Sequence, residues 1–179
     1  RARWHSRILG RMGRSQIPAI NPYLFFMGIL AGEEPPDHFA RAARDDAQVH
    51  PIVRRITSIH SIEEARHIAY AREFLEQQFR DAPRWQQAHA RFNAPISVRV
   101  IVGEFFTPRW PSGTDQAPVG LRFPAEMKRA IDLARRQKNP VKQAVMRDSV
   151  KRVVGFFREI GAITERDWKH WRRWGLVEA

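Results

Sequence analysis

The chain has 179 residues, of which 43% are hydrophobic and 28% charged, enough for one compact domain with a real core and too apolar for wholesale disorder. It holds no cysteine, which excludes a disulfide scaffold, a thiolate zinc site and a cysteine nucleophile. The net charge of +12 sits at the ends: residues 1–14 carry +5, residues 122–179 carry +8, and the stretch between is net −1.

The basic opening run shows no signal-peptide pattern, and it begins at Arg1 rather than Met. The expectation is a cytoplasmic protein, and a chain that is a piece of something longer. Basic ends can bind phosphate, but no paired zinc ligands, aromatic RNP run or leucine heptad accompanies them, so nucleic acid is not the expected partner. Apolar residues then recur at spacings of three and four, which predicts helix. Ile20, Leu24, Met27, Leu30 and Ala31 form one face of a first helix, taken to run from about Ala19 to Val49. Its apolar run, Pro22 to Gly32, is too short to span a bilayer. Pro51 suits the first turn of a second helix, marked by Ile52, Ile56, Ile59, Ile62 and Ile68 and continuing through Tyr70, Phe74 and Leu75. A third helix is expected from near Pro95 to Phe106, and a loop rich in Pro and Gly from Thr107 to Phe123. Three helices follow, at about Pro124–Lys138, Val141–Ile160 and Thr164–Trp174, the last opened by a capping box of Thr164 and Asp167. No strand is predicted. The class is all-α, as one helical domain over 1–179: helices and core in 15–106, the loop at 107–123, and C-terminal helices in 124–179.

The stretch His60-Ser-Ile-Glu-Glu-Ala-Arg-His67 carries the chemistry. His60, Glu64 and His67 are spaced i, i+4, i+7 and fall within an arc of roughly 60° on one helix face. Two imidazoles beside a carboxylate suit iron, manganese or zinc. Glu64 and His67 also form the Glu-x-x-His unit that serves di-metal centres in helical bundles. Ile56, Ile59, Ile68 and Phe74 flank this face, so its polar groups need either a metal or a buried hydrogen-bonded network.

If the first two helices form a hairpin about residues 49–50, Glu33 and Glu34 arrive level with Glu64 and His67. Pro35 and Pro36 follow directly, and either kink the helix or end it at Glu34. Glu33 shares a line with Phe26, Ile29 and Leu30; Glu34 shares one with Tyr23, Met27 and Leu30. The two lines nearly tie, so spacing leaves Glu33 and Glu34 as alternatives.

These residues, with Ile68 to Arg72, the run from Asp45 to Pro51 and the closing Trp171 to Leu176, resemble the C-terminal half of the p-aminobenzoate N-oxygenase family of non-haem di-iron enzymes. The extra histidine one turn before Glu-x-x-His sets that family apart from ordinary ferritin-like sites. The resemblance implies a ferritin-like di-iron helical bundle. His60, Glu64 and His67 would be metal ligands, and Glu33 is preferred over Glu34 as the carboxylate on the preceding helix. It implies two iron ions, with manganese as an alternative, and O2 as co-substrate. The implied activity is that of a monooxygenase oxidising a small organic substrate, an arylamine nitrogen first among them, with an external electron donor and a homodimeric assembly. The chain holds no second Glu-x-x-His. The remaining ligands are therefore expected from an N-terminal half or a second chain. The rival reading is a helical nucleic-acid-binding or protein-interaction module with a vestigial metal site.

Other residues have plainer readings. Glu63 and Arg66 flank the ligand face, as groups that orient ligands or as a surface ion pair. Asp45, Asp46 and His50 read as caps, and His38 as a solvated histidine. His5, His89 and His170 have no partners by spacing. Trp168, Trp171 and Trp174 read as a packing seam. Phe105, Phe106 and Trp110 read as core and loop, with a lid as the alternative.

Overall fold

The computed structural model describes residues 17–106 and 139–178, with 129 and 133 between them. The elements are α1 (Ile17–Ile20), α2 (Pro22–Asp45), α3 (Pro51–Gln78), α4 (Arg84–Phe105), α5 (Pro140–Glu159) and α6 (Glu165–Arg173), with no strand among the described residues. The all-α expectation therefore stands. The expected loop at 107–123, the body of the helix at 124–138, His5 and Trp110 lie outside the described residues.

Helix α2 begins where Asn21 accepts a hydrogen bond from the Leu24 amide at 3.0 Å and Pro22 supplies a fixed φ at the first helical position. It ends at Asp45, with Asp46 as its cap, four residues before the end expected at Val49. Pro35 and Pro36 sit inside it, so the helix does not stop at Glu34. Each proline lacks an N–H and deprives a carbonyl one turn back, at Ala31 or Gly32, of its helical donor, a cost of about 3 kcal/mol or more in an exposed helix interior. Burial on both sides of the pair, at Leu24, Met27, Leu30, Ala31 and Ala40, carries the helix through.

The chain turns at 46–50, and α3 starts at Pro51 with the His50 ring accepting from the Ile52 amide at 3.2 Å. Asp46 and His50 are caps, as read; Asp45 pairs with Arg44 at 2.8 Å. The two helices form the expected hairpin, and α2 also packs on α4 and α5. Only Ala71 and Leu75 within α3 are fully buried, with Phe79 at its end. Much of the isoleucine stripe of α3 does not face the core. Ile52, Ile56, Ile59 and Ile62 are 63%, 60%, 43% and 64% exposed, and Ile20 on α1 is 52% exposed.

Helix α4 starts at Arg84, eleven residues before the expected start, and Pro95 lies buried in its interior. Its buried line is Ala90, Ala94, Val98 and Val102, whose first two members are too small to register as an apolar period. Helix α5 is capped by Asn139 and contributes Met146, Val150, Val153 and Phe157 to the core. Gly161, at φ +76°, takes the left-handed conformation that closes the turn into α6. The capping box of Thr164 and Asp167 is present. Trp171 is fully buried against Phe157, with Trp168 and Trp174 packed beside it, so the tryptophans form the expected seam.

Candidate metal centre

Glu64 sits between two imidazoles on α3. Its Oε2 lies 2.9 Å from His67 Nδ1 and its Oε1 lies 3.6 Å from His60 Nδ1. The i, i+3 and i, i+4 spacings put all three on one face, as helix geometry requires. From across the hairpin, Glu33 of α2 shares a hydrogen bond with Glu64. Ligand-capable atoms of Glu33, Glu64 and His67 all lie within 4.8 Å of one another. The two imidazoles are open to solvent: the His60 and His67 side chains are 47% and 64% exposed, against 14% for Glu64.

Two carboxyls in contact cannot both carry full charge cheaply. Burial, the hydrogen bond to Glu64 and the Glu64 charge push Glu33 up to about 7, against a smaller pull downward from His67 and His60. Glu64 moves the other way, because the Glu33 hydrogen bond stabilises its ionised form and His67 adds a second one. The pair thus shares one proton between Glu33 and Glu64 below about pH 7. A carboxylate pair with imidazoles beside it is the donor set a divalent first-row metal takes in place of such a proton.

Glu34, the alternative left open by spacing, points elsewhere. Its side chain is 2% exposed, and its Oε1 accepts from Arg72 at 2.6 Å. The structure therefore brings Glu33, and not Glu34, to Glu64 and His67. His38 pairs with Asp148 at 3.4 Å, away from the ligand face. Glu63 and Arg66 are exposed and make no ion pair or hydrogen bond among the described residues. His89 contacts Asn21 at 3.1 Å, and His170 lies 3.0 Å from the Phe92 carbonyl. Phe106 packs on Phe39, whereas Phe105 is 55% exposed. Spacing alone does not single out Arg72. Its signal is there in retrospect: an arginine on the second helix at hairpin reach of the acid that spacing could not orient.

The comparisons with known proteins agree with this geometry. Residues 1–161 match the family model described as P-aminobenzoate N-oxygenase AurF. The Trp171–Leu176 run lies beyond that match. Over 88 residues the chain is 39% identical to the uncharacterized protein Rv0885 of Mycobacterium tuberculosis (strain ATCC 25618 / H37Rv) and to the uncharacterized protein Mb0909 of Mycobacterium bovis. That alignment spans 49% of this chain and 26% of each relative, so the chain matches about a quarter of the length of these curated relatives. No solved structure matches. Among the described residues no helix is long and apolar enough to cross a membrane. With nine-tenths of the chain matched and an all-helical fold that presents a carboxylate and imidazole cluster, the chain belongs to the p-aminobenzoate N-oxygenase family of di-iron enzymes.

Proposed function

We propose that this chain supplies one helical hairpin of a non-haem di-iron monooxygenase, with Glu33, His60, Glu64 and His67 as metal ligands. The observation that carries the reading is the convergence of Glu33, Glu64 and His67 ligand atoms within 4.8 Å, drawn from two helices. Iron bound there supplies the activation of O2. The substrate we assign is an arylamine. Forming one N–O bond to its nitrogen, with the second oxygen atom leaving as water, consumes two electrons and two protons, so an external electron donor takes part.

The chain's own residues have three tasks. Glu33 and Glu64 approach from opposite helices and exchange their shared proton for metal charge. Glu64 orients the His67 imidazole through a hydrogen bond at Nδ1, with the His60 Nδ1 at 3.6 Å on its other oxygen. Phe26 of α2 packs on Phe74 and Tyr70 of α3, with the Phe26 and Phe74 rings 4.4 Å apart, an apolar contact that joins the two ligand helices.

Four ligands from two helices do not fill two metal positions. We assign the remaining carboxylates and histidine to a segment outside the described residues or to a second chain, which seats on the open side of α3. Round that helix, at about 100° per residue, Ile52, Ile56, Ile59 and Tyr70 all lie within about 100° of His60 and His67. Exposed apolar surface and exposed imidazoles therefore share one side.

The test is metal content after reconstitution with Fe(II) under argon. The wild-type chain should bind iron, and His67→Ala should lose it while keeping its far-UV helicity. Unchanged iron content in the variant removes the ligand assignment.

A further inference from the structure

We propose that Arg72 is a positioning residue for the metal centre: by gripping Glu34 it sets the rotation of α2 that turns the neighbouring Glu33 toward Glu64 and His67. The inference rests on the reading of Glu33, Glu64 and His67 as ligands, and concerns how the first of them is held.

Helix α2 is weakest in its own hydrogen bonding where this choice is made. Pro35 and Pro36 donate nothing to the Ala31 and Gly32 carbonyls, so the turn that carries Glu33 and Glu34 lacks two helical bonds. Glu33 and Glu34 project about 100° apart, and apolar residues line both directions. Local structure therefore does not decide which carboxylate meets α3, and a contact across the hairpin must.

Arg72 makes that contact. Its Nε and Nη2 both lie 2.6 Å from Glu34 Oε1. The guanidinium also lies over the Phe156 ring, 4.5 Å from its centroid, which ties the pair to α5. One side chain thus links three helices. Glu34 Oε2 is buried with no hydrogen-bond partner, so Arg72 is the group that compensates this charge. The next acid on the helix, Asp37, is buried too and has its own cation, Arg41, at 2.7 Å. Arg72 lies five residues beyond His67, about 140° round the helix, and is not itself on the ligand face. Without it, Glu34 is a buried charge with no counter-ion, and such a group escapes to water. The turn of α2 that releases Glu34 carries Glu33 away from Glu64.

The experiment is a Co(II) titration of the full chain, read by the visible absorption of the bound ion and by far-UV circular dichroism. Arg72→Met should weaken Co(II) binding about 10- to 100-fold, the range for groups that orient metal ligands, and change the visible spectrum while the helicity is kept. Adding Glu34→Gln to Arg72→Met removes the orphaned charge and should recover part of the lost affinity, which a loss of packing alone would not do. If Arg72→Met fails to fold, Arg72→Lys decides: it keeps the charge but not the two-nitrogen grip, and should bind Co(II) more weakly than wild type. Wild-type affinity in the folded Arg72 variant, or no recovery in the double variant, overturns the inference. The ligand reading fails separately: if His67→Ala binds Co(II) as the wild type does, or the wild type binds none, both fall.

Discussion

The shared proton between Glu33 and Glu64 makes a quantitative prediction for the metal-free protein. Glu33 is raised from 4.5 to about 7 in the folded chain. A group raised on folding contributes stability fully below its unfolded value, and that contribution is lost as pH rises through the folded value. Metal-free protein should therefore lose stability between about pH 4.5 and pH 7 through this group, as the two carboxylates are forced to ionise side by side. The full displacement corresponds to about 3 kcal/mol. Glu33 is only half-buried, and solvent screening reduces this to about 1 kcal/mol. Glu33→Gln mimics the protonated carboxyl and keeps the hydrogen bond to Glu64. It should leave stability unchanged at pH 4.5 and raise the melting temperature at pH 8 by about 2–4 °C, the shift about 1 kcal/mol gives in a domain of this size. The assay is thermal unfolding of chelator-treated wild type and Glu33→Gln by circular dichroism at both pH values. The same variant should bind Fe(II) more weakly, so that one substitution stabilises the empty protein and weakens the loaded one. An equal effect of Glu33→Gln at pH 4.5 and pH 8, or a loss of stability at pH 8, refutes the shared-proton argument.

Three further outcomes are expected. Phe157→Ala removes a fully buried ring packed on Trp171 and should cost about 3–5 kcal/mol in denaturant unfolding; a loss below about 1 kcal/mol contradicts the α5–α6 core. Asp167→Ala removes the carboxylate that accepts from the Thr164 amide at 2.9 Å, and should lower stability by about 1 kcal/mol, with fraying confined to α6 by hydrogen exchange. Affinity for generic duplex DNA should stay near ~10⁻⁴ to 10⁻⁶ M at physiological salt; tight, sequence-selective retention would return the basic ends to the centre of the function.

What was legible in the sequence is what local rules decide. The hairpin register follows from counting residues on either side of residues 49–50, because a helix advances by a fixed rise and its caps are short-range devices. The same counting brought Glu33 and Glu34 level with Glu64 and His67. The all-α class and the α6 capping box were read from spacing for the same reason. The start of helix α4 is hidden from periodicity, because Pro95 looks like a first-turn proline while the opening at Arg84 leads into alanines that give no apolar signal.

Two features lay beyond the sequence because they depend on what stands across a gap. Glu33 and Glu34 tie in phase, and the tie is broken by Arg72, 38 residues away, at 2.6 Å. No periodicity contains that distance. The isoleucines of α3 pose the same problem in reverse. Helical spacing of Ile52, Ile56 and Ile59 marks an apolar stripe, but spacing is identical whether the stripe meets the core or stands open, and here it stands open. The premise that an apolar face surrounds the ligands thus holds for Glu64, which is enclosed, and fails for His60 and His67, which look outward beside those isoleucines. Two imidazoles and a row of branched aliphatics have opposite preferences in water. Their sharing one side of a single helix is economical only if that side is closed by apolar surface carrying a charge for the imidazoles to meet, a metal ion with further carboxylates being one such arrangement.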